Sequence, residues 1–80
     1  MKIKVLAFGI TKEILGKSAI ELEVKPQLTV RELKESLGQQ YPDFAKLASL
    51  AIAVNSEYAQ EEQVLESTDE IALIPPVSGG

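Results

Sequence analysis

Thr29-Val30-Arg31-Glu32-Leu33-Lys34-Glu35-Ser36-Leu37-Gly38 is the stretch around which the fold assembles. It opens with a capping box: the Thr29 hydroxyl is placed to accept the Glu32 amide N–H while the Glu32 carboxylate reaches back. Val30, Leu33 and Leu37 recur at helical spacing with Tyr41 one turn on, and Arg31, Glu32, Lys34 and Glu35 take the other face. The count gives an amphipathic helix of about three turns. Gly38 weakens its end and Pro42 stops it. One main helix covers one face of a sheet, so the fold class is α+β.

Outward from this helix the pattern changes from a period near four to a period of two. Upstream, Ile20, Leu22 and Val24 alternate with Glu21 and Glu23, a strand with one wet face, closed by Lys25-Pro26. Before it, Ile3, Val5 and Ala7 alternate with Lys4, Leu6 and Phe8. The two strands form an antiparallel hairpin, with Gly9 breaking the first and Thr11 to Gly16 read as a turn region. Downstream, Pro42-Asp43 opens a short second helix with Phe44, Leu47 and Ala48 inward. Ala51-Ile52-Ala53-Val54 reads as a buried strand, turning at Asn55-Ser56-Glu57 into a short partner around Tyr58-Ala59. Gln60 to Thr68 is a polar loop pinned by Val64 and Leu65. Ile71-Ala72-Leu73-Ile74 is the final strand, closed by Pro75-Pro76, which cannot donate to a ladder. The order is ββαββ. It is satisfied when the first and last strands lie side by side and parallel, the helix forming the crossover. That is the ubiquitin-like β-grasp with a mixed sheet: a domain over residues 1–75 and a flexible tail over 76–80.

Composition narrows the chemistry. Eighty residues make one domain, with no internal linker, repeat or low-complexity stretch. There is no Cys and no His, which removes the usual zinc ligands and the usual neutral-pH base. No metal site is expected. The 45% hydrophobic content makes aliphatic packing the source of stability. Net charge is −4 and the eight basic residues are scattered, so no nucleic-acid surface is expected. No apolar run approaches membrane-spanning length and the Met-Lys-Ile-Lys start carries no signal core, so a cytoplasmic protein is expected. Glu61 and Glu62 are adjacent in a loop and read as solvent-facing; no constellation of His, Cys or paired carboxylates marks an enzyme acting alone.

Two features point to a function. Strand alternation puts Phe8 and Ile74 on the uncovered face, at the ends of neighbouring parallel strands, where the tail departs. Apolar groups there read as a partner surface, against the plainer reading of scattered surface hydrophobics. The tail Pro75-Pro76-Val77-Ser78-Gly79-Gly80 is the second. Its prolines hold it extended, its glycines enter channels that a Cβ would block, and from Pro76 it reaches at most ~17 Å. The plainer reading of a terminal diglycine is a frayed end or an expression scar.

Val5-Leu6-Ala7-Phe8, Leu15-Gly16, Thr29-Val30 before Leu33, Ala53-Val54-Asn55, Asp69-Glu70-Ile71-Ala72 and the Pro-Pro-Val-Ser-Gly-Gly ending resemble the MoaD family of ubiquitin-like sulfur carriers, small subunits of molybdopterin synthase. The resemblance covers essentially the whole chain. It implies that an E1-like enzyme adenylates the Gly80 carboxylate with ATP. Sulfur from a donor protein then displaces AMP and leaves a thiocarboxylate. Val77, Ser78, Gly79 and Gly80 enter the active site of the large subunit, in a heterotetramer of two small and two large chains. There the sulfur passes to cyclic pyranopterin monophosphate, two transfers building each dithiolene. The carrier is non-catalytic and binds no cofactor. Its partner surface falls on Phe8, Lys12, Tyr58 and Ile74. Ile74 stands where larger aromatics occur in the family and Lys12 where an Arg occurs. Related carriers for thiazole, cysteine or tRNA thiolation share these features, as does a protein modifier whose Gly80 forms isopeptide bonds. An inert binding module is the third reading.

Overall fold

Helix α2 spans Val30–Gln40 and begins as its sequence predicts. Thr29 Oγ1 accepts the Glu32 N–H at 3.2 Å and Glu32 Oε1 accepts the Thr29 N–H at 3.0 Å, completing the capping box. Val30, Leu33 and Leu37 are buried. The Tyr41 N–H donates to the Leu37 carbonyl, and Pro42 then starts a 3₁₀ turn over Pro42–Lys46. Phe44 from that turn is buried and meets Tyr41 edge to face, with ring centroids 6.0 Å apart. The computed structural model describes residues 1–47 and 50–75, so Ala48 and the expected tail 76–80 lie outside the described residues.

The strands are β1 (Lys2–Ala7), β2 (Ala19–Glu23), β3 (Ala51–Val54), β4 (Glu57–Tyr58) and β5 (Glu70–Ile74). They form one sheet in the order β2-β1-β5-β3-β4. β1 pairs antiparallel with β2, Val5 opposite Ile20, and parallel with β5, Val5 opposite Ile71. The crossover between β1 and β5 makes the sheet mixed, as the β-grasp reading requires. β3 lies antiparallel to β5, with Ile52 opposite Leu73. The β3–β4 loop is Asn55-Ser56, both at positive φ, the geometry of a tight two-residue hairpin. Tyr58 ends β4, and Ala59, expected as part of that strand, still donates its N–H to the Ile52 carbonyl.

Ile3 and Val5 from β1, Ile52 and Val54 from β3, Ile71 and Leu73 from β5 pack beneath Val30, Leu33 and Leu37, with Leu28, Phe44 and Leu65 closing the cluster. All are aliphatic except Phe44, as the composition implies. Two expectations are corrected. The Thr11–Gly16 region is not a turn: Ile10–Leu15 forms a short helix, α1, ended by Gly16 at φ 75°. Val64 is not an inward anchor but 48% exposed, while Leu65 is buried. Neighbouring residues of an extended segment point to opposite sides, so only one of the pair can enter the core. The segment is held by its backbone: Leu65 N–H donates to Leu28 O at 2.8 Å and Val30 N–H to Gln63 O at 3.0 Å.

Candidate functional site

The end of the sheet from which the tail departs is built by three segments. β1 and β5 run parallel, and their last registered pair is Ala7 with Leu73. Phe8 and Ile74 are the next residues along, and Pro75 follows Ile74. Gly9 then turns the chain into α1. Thr11 fixes this turn. Its hydroxyl accepts the Phe8 N–H at 2.8 Å and donates to the Phe8 carbonyl at 2.6 Å, with the side chain fully buried.

The register lays three rows across the face that carries no helix. One row runs Ala19, Leu6, Ala72, Ala53, Tyr58 through all five strands. Beside it, Ile74 stands opposite Ala51. A third row is charged: Glu21, Lys4 and Glu70 face one another, with Lys2 opposite Glu23 further out. The open face is therefore divided, apolar towards the tail and charged away from it.

Phe8 is 50% exposed. Lys12 is exposed on α1 and shares a shallow recess with Leu6, Phe8 and Ala19. Ile74 is half-buried. Tyr58 is 75% exposed at the far edge of the sheet. Three strand spacings separate β1 from β4, roughly 14 Å. The structure thus brings Phe8 and Lys12 together, puts Ile74 one strand away, and leaves Tyr58 at the opposite rim of the same face. Val77, Ser78, Gly79 and Gly80 lie outside the described residues.

Leu6 and Ala72 reach this face by the same strand alternation that places Phe8 and Ile74 there, and Ala53 joins them through cross-strand register, which no single strand reveals. Ile10, 41% exposed at the start of α1, was missed because its segment reads as a turn.

No part of this face resembles acid–base machinery. Among the described residues the buried polar side chain is Thr11, and no group of His, Cys, Asp or Glu could hold a metal ion. No described helix is long and apolar enough to cross a membrane. The carboxylates held below their usual range each have a structural partner. The Met1 ammonium bonds Glu23 at 2.6 Å and lowers it. Lys25, then the Thr29 N–H, hold Glu32 at about 2. Lys34, then Arg31, lower Glu61. What the face offers chemically is a docking surface beside the root of a tail.

Comparison with known proteins bears on what docks there. The family model described as the ThiS family matches residues 5–80. The molybdopterin synthase sulfur carrier subunit of Dictyostelium discoideum is 37% identical over 83 residues, covering 99% of this chain and 96% of the relative. A complex of subunits 1 and 2 of the molybdopterin-converting factor from Helicobacter pylori contains a chain 27% identical, with TM-score 0.68 and full coverage of both. The small archaeal modifier protein 1 of Methanosarcina acetivorans is 25% identical with TM-score 0.74, covering 99% of this chain and 96% of that one.

Proposed function

The chain belongs to the ThiS family, and on that premise we propose that it is the sulfur carrier subunit of a molybdopterin synthase. One observation carries the reading: the likeness to molybdopterin synthase sulfur carrier subunits spans the chain, and the family match extends to Gly80.

The working group is the Gly80 carboxyl. A carboxylate is a poor electrophile, so an E1-like partner joins it to AMP from ATP, releasing pyrophosphate. Sulfur from a donor protein then displaces AMP and leaves a thiocarboxylate, a soft nucleophile. Phe8, Lys12, Tyr58 and Ile74 hold the folded body against the large subunit, while Val77, Ser78, Gly79 and Gly80 carry the sulfur to that subunit's active site. The divided open face supports this: its apolar half lies beside the tail root. The acceptor is cyclic pyranopterin monophosphate, which takes two sulfurs to form the molybdopterin dithiolene. The assembly is a heterotetramer of two small and two large chains, working in the cytoplasm. ATP is consumed by the activating enzyme, and the carrier itself needs no cofactor, base or metal. Having no Cys, it has no internal thiol to intercept the activated acyl group.

The test is the intact mass of the protein after incubation with its activating enzyme, ATP and a sulfur source. The expected result is a gain of about 16 Da at Gly80, one oxygen replaced by sulfur. A chain lacking Gly80, or carrying one residue beyond it, gains nothing. An unchanged mass in the full chain overturns the reading. Offering the thiocarboxylated chain each candidate acceptor separates molybdopterin synthesis from thiazole, cysteine and tRNA thiolation.

The likeness to the Methanosarcina acetivorans modifier protein favours a second reading, in which the activated Gly80 carboxyl is joined to lysines of other proteins. A ladder of conjugates on an immunoblot would establish it. A single free band together with the mass gain leaves the carrier.

A further inference from the structure

The two edges of the sheet differ. β4 closes one with Glu57–Tyr58, too short a strand to template another. β2 closes the other with Ala19–Glu23, in unbroken register with β1 from Lys2–Glu23 to Leu6–Ala19. No proline interrupts it. The direction of its main-chain groups follows from the ladder. Ala7 N–H donates to Ser18 O at 2.9 Å and Val24 N–H to Met1 O at 2.7 Å. Ladder bonds alternate along an antiparallel pair, so Ser18, Ile20, Leu22 and Val24 turn their N–H and C=O groups towards β1. Ala19, Glu21 and Glu23 turn theirs outward, and no described strand takes them up.

A recess of about 600 Å³ straddles this edge. Ile20, Leu22 and Tyr41 line it on the helix side, and Lys4, Lys17 and Glu21 on the open side. Ile20, Leu22 and Tyr41 are half-buried. A strand laid here meets main-chain partners along its middle, an apolar flank on one side and charges of both signs on the other.

We propose that the occupant is β2 of a second copy of this chain, running antiparallel so that two sheets join across a two-fold axis. The strand is self-complementary in one register. Alternate residues face opposite sides, so residues can be opposed only to residues of the same face. With Ile20 opposite Ile20 of the second copy, Ala19 meets Glu21, and these two exchange main-chain bonds on both sides of the axis. Lys17 then meets Glu23, which sets opposite charges at both ends of the ladder. Sliding two residues one way puts Glu21 against Glu21 and Lys17 against Lys25, like against like. Sliding two residues the other way puts Glu23 against Leu15, inside α1, and shortens the ladder. The axis stands perpendicular to the joined sheet, so both helices lie on one side and both open faces on the other. Phe8, Lys12, Tyr58 and Ile74 stay uncovered in each copy. The inference therefore goes beyond the sulfur-carrier reading and does not depend on it.

Sedimentation equilibrium of the chain alone, with no partner or sulfur source and at concentrations up to about 1 mM, tests it. We expect a reversible dimer. Amide exchange at Ala19 and Glu21 should slow by about tenfold between dilute and concentrated samples. Glu21→Pro removes an outward N–H and no bond to β1, so it should give a folded monomer. Lys17→Glu and Glu23→Lys each oppose like charges and should weaken the dimer by about tenfold. The two together rebuild the pair in reverse and should return the dimer to within about threefold of native. If Glu21→Pro fails to fold, the charge exchange carries the test. A chain that stays monomeric to about 1 mM overturns the inference, as does a charge exchange that fails to restore the dimer. A dimer that Phe8→Ala dissolves and the charge reversals leave intact also overturns it, because the apolar half of the open face would then be what joins the copies.

Discussion

Ser56 occupies a backbone conformation that its side chain does not favour. It is the second residue of the Asn55-Ser56 loop, at φ 72°, between Val54 and Glu57, which pair directly. Asn55, at φ 53°, tolerates this region better and is held there by its side chain. Its Nδ2 donates to Asp69 Oδ1 at 3.0 Å and its Oδ1 accepts the Glu70 N–H at 2.9 Å. Ser56 has no comparable bond among those found in the described residues, and glycine is the residue most at ease at this place in a tight hairpin. Ser56→Gly should therefore stabilise the fold by about 0.5–1 kcal/mol, the relief of backbone strain exceeding the added entropy of glycine in the unfolded chain. A thermal melt should rise by about 4 °C. An unchanged or lowered midpoint would show that Ser56 bears no such strain. The sequence located this turn but not its cost, because Asn-Ser marks a turn without stating which residues take positive φ. Thr11 shows the same gap. Nothing in Ile10-Thr11-Lys12 announces a buried hydroxyl bridging both backbone groups of Phe8.

Elements were legible in proportion to how much of their stability is local. Helix α2 carries its start signal, its apolar stripe and its stop within fourteen residues, Thr29 to Pro42, and each appears in the fold as read. Helix α1 does not. Its six residues are too few to nucleate alone and too few to show a stripe. It persists because Thr11 is buried against β1's end and because Gly16, in the left-handed region, returns its N–H to Lys12 O at 2.8 Å. The α2 cap also makes a pH-dependent contribution whose sign follows from its partners. The Lys25 ammonium and the Thr29 N–H favour the charged form of Glu32, taking it from its usual 4.5 to about 2. A carboxylate lowered on folding stabilises the native state fully above its unfolded value. That contribution is lost as pH falls through the folded value. Glu61 acts in the same direction through Lys34 and Arg31. The urea midpoint should accordingly decline as pH drops from about 4.5 to about 2. Glu32→Gln keeps the length of the capping side chain and removes its charge. It should lower the midpoint at pH 7 and make the acid decline shallower. A decline as steep as that of the native chain would exclude Glu32 as a source of the acid sensitivity.

At the scale of the whole molecule, one layer of helix over one sheet leaves a face uncovered, and the alternation in β1 and β5 announces which residues reach it. What alternation cannot announce is the neighbour across a strand. Leu6, Ala72, Ala53 and Tyr58 form one row although they are scattered from β1 to β5 in sequence, because register is a long-range property. The division of the face follows from the same register, with Glu21, Lys4 and Glu70 forming a charged row on the side away from the tail. The two halves should behave differently when a partner binds. Exposed aromatic side chains in an apolar setting are the groups that carry binding energy, whereas rim charges contribute little at equilibrium and act mainly on encounter. Phe8→Ala should weaken binding to the large subunit by about 2 kcal/mol, roughly thirtyfold in Kd. Because Phe8 is half exposed and outside the core cluster, the melting midpoint should move by no more than about 2 °C. Lys4→Gln should change Kd by less than about threefold while reducing the salt dependence of association. Calorimetric titration at two ionic strengths, with melts of the same samples, measures all of this. If Lys4→Gln costs as much affinity as Phe8→Ala, the docking surface is not the apolar half. The partner would then lie across the charged rows, and the tail would have to reach its target from the other end of the face.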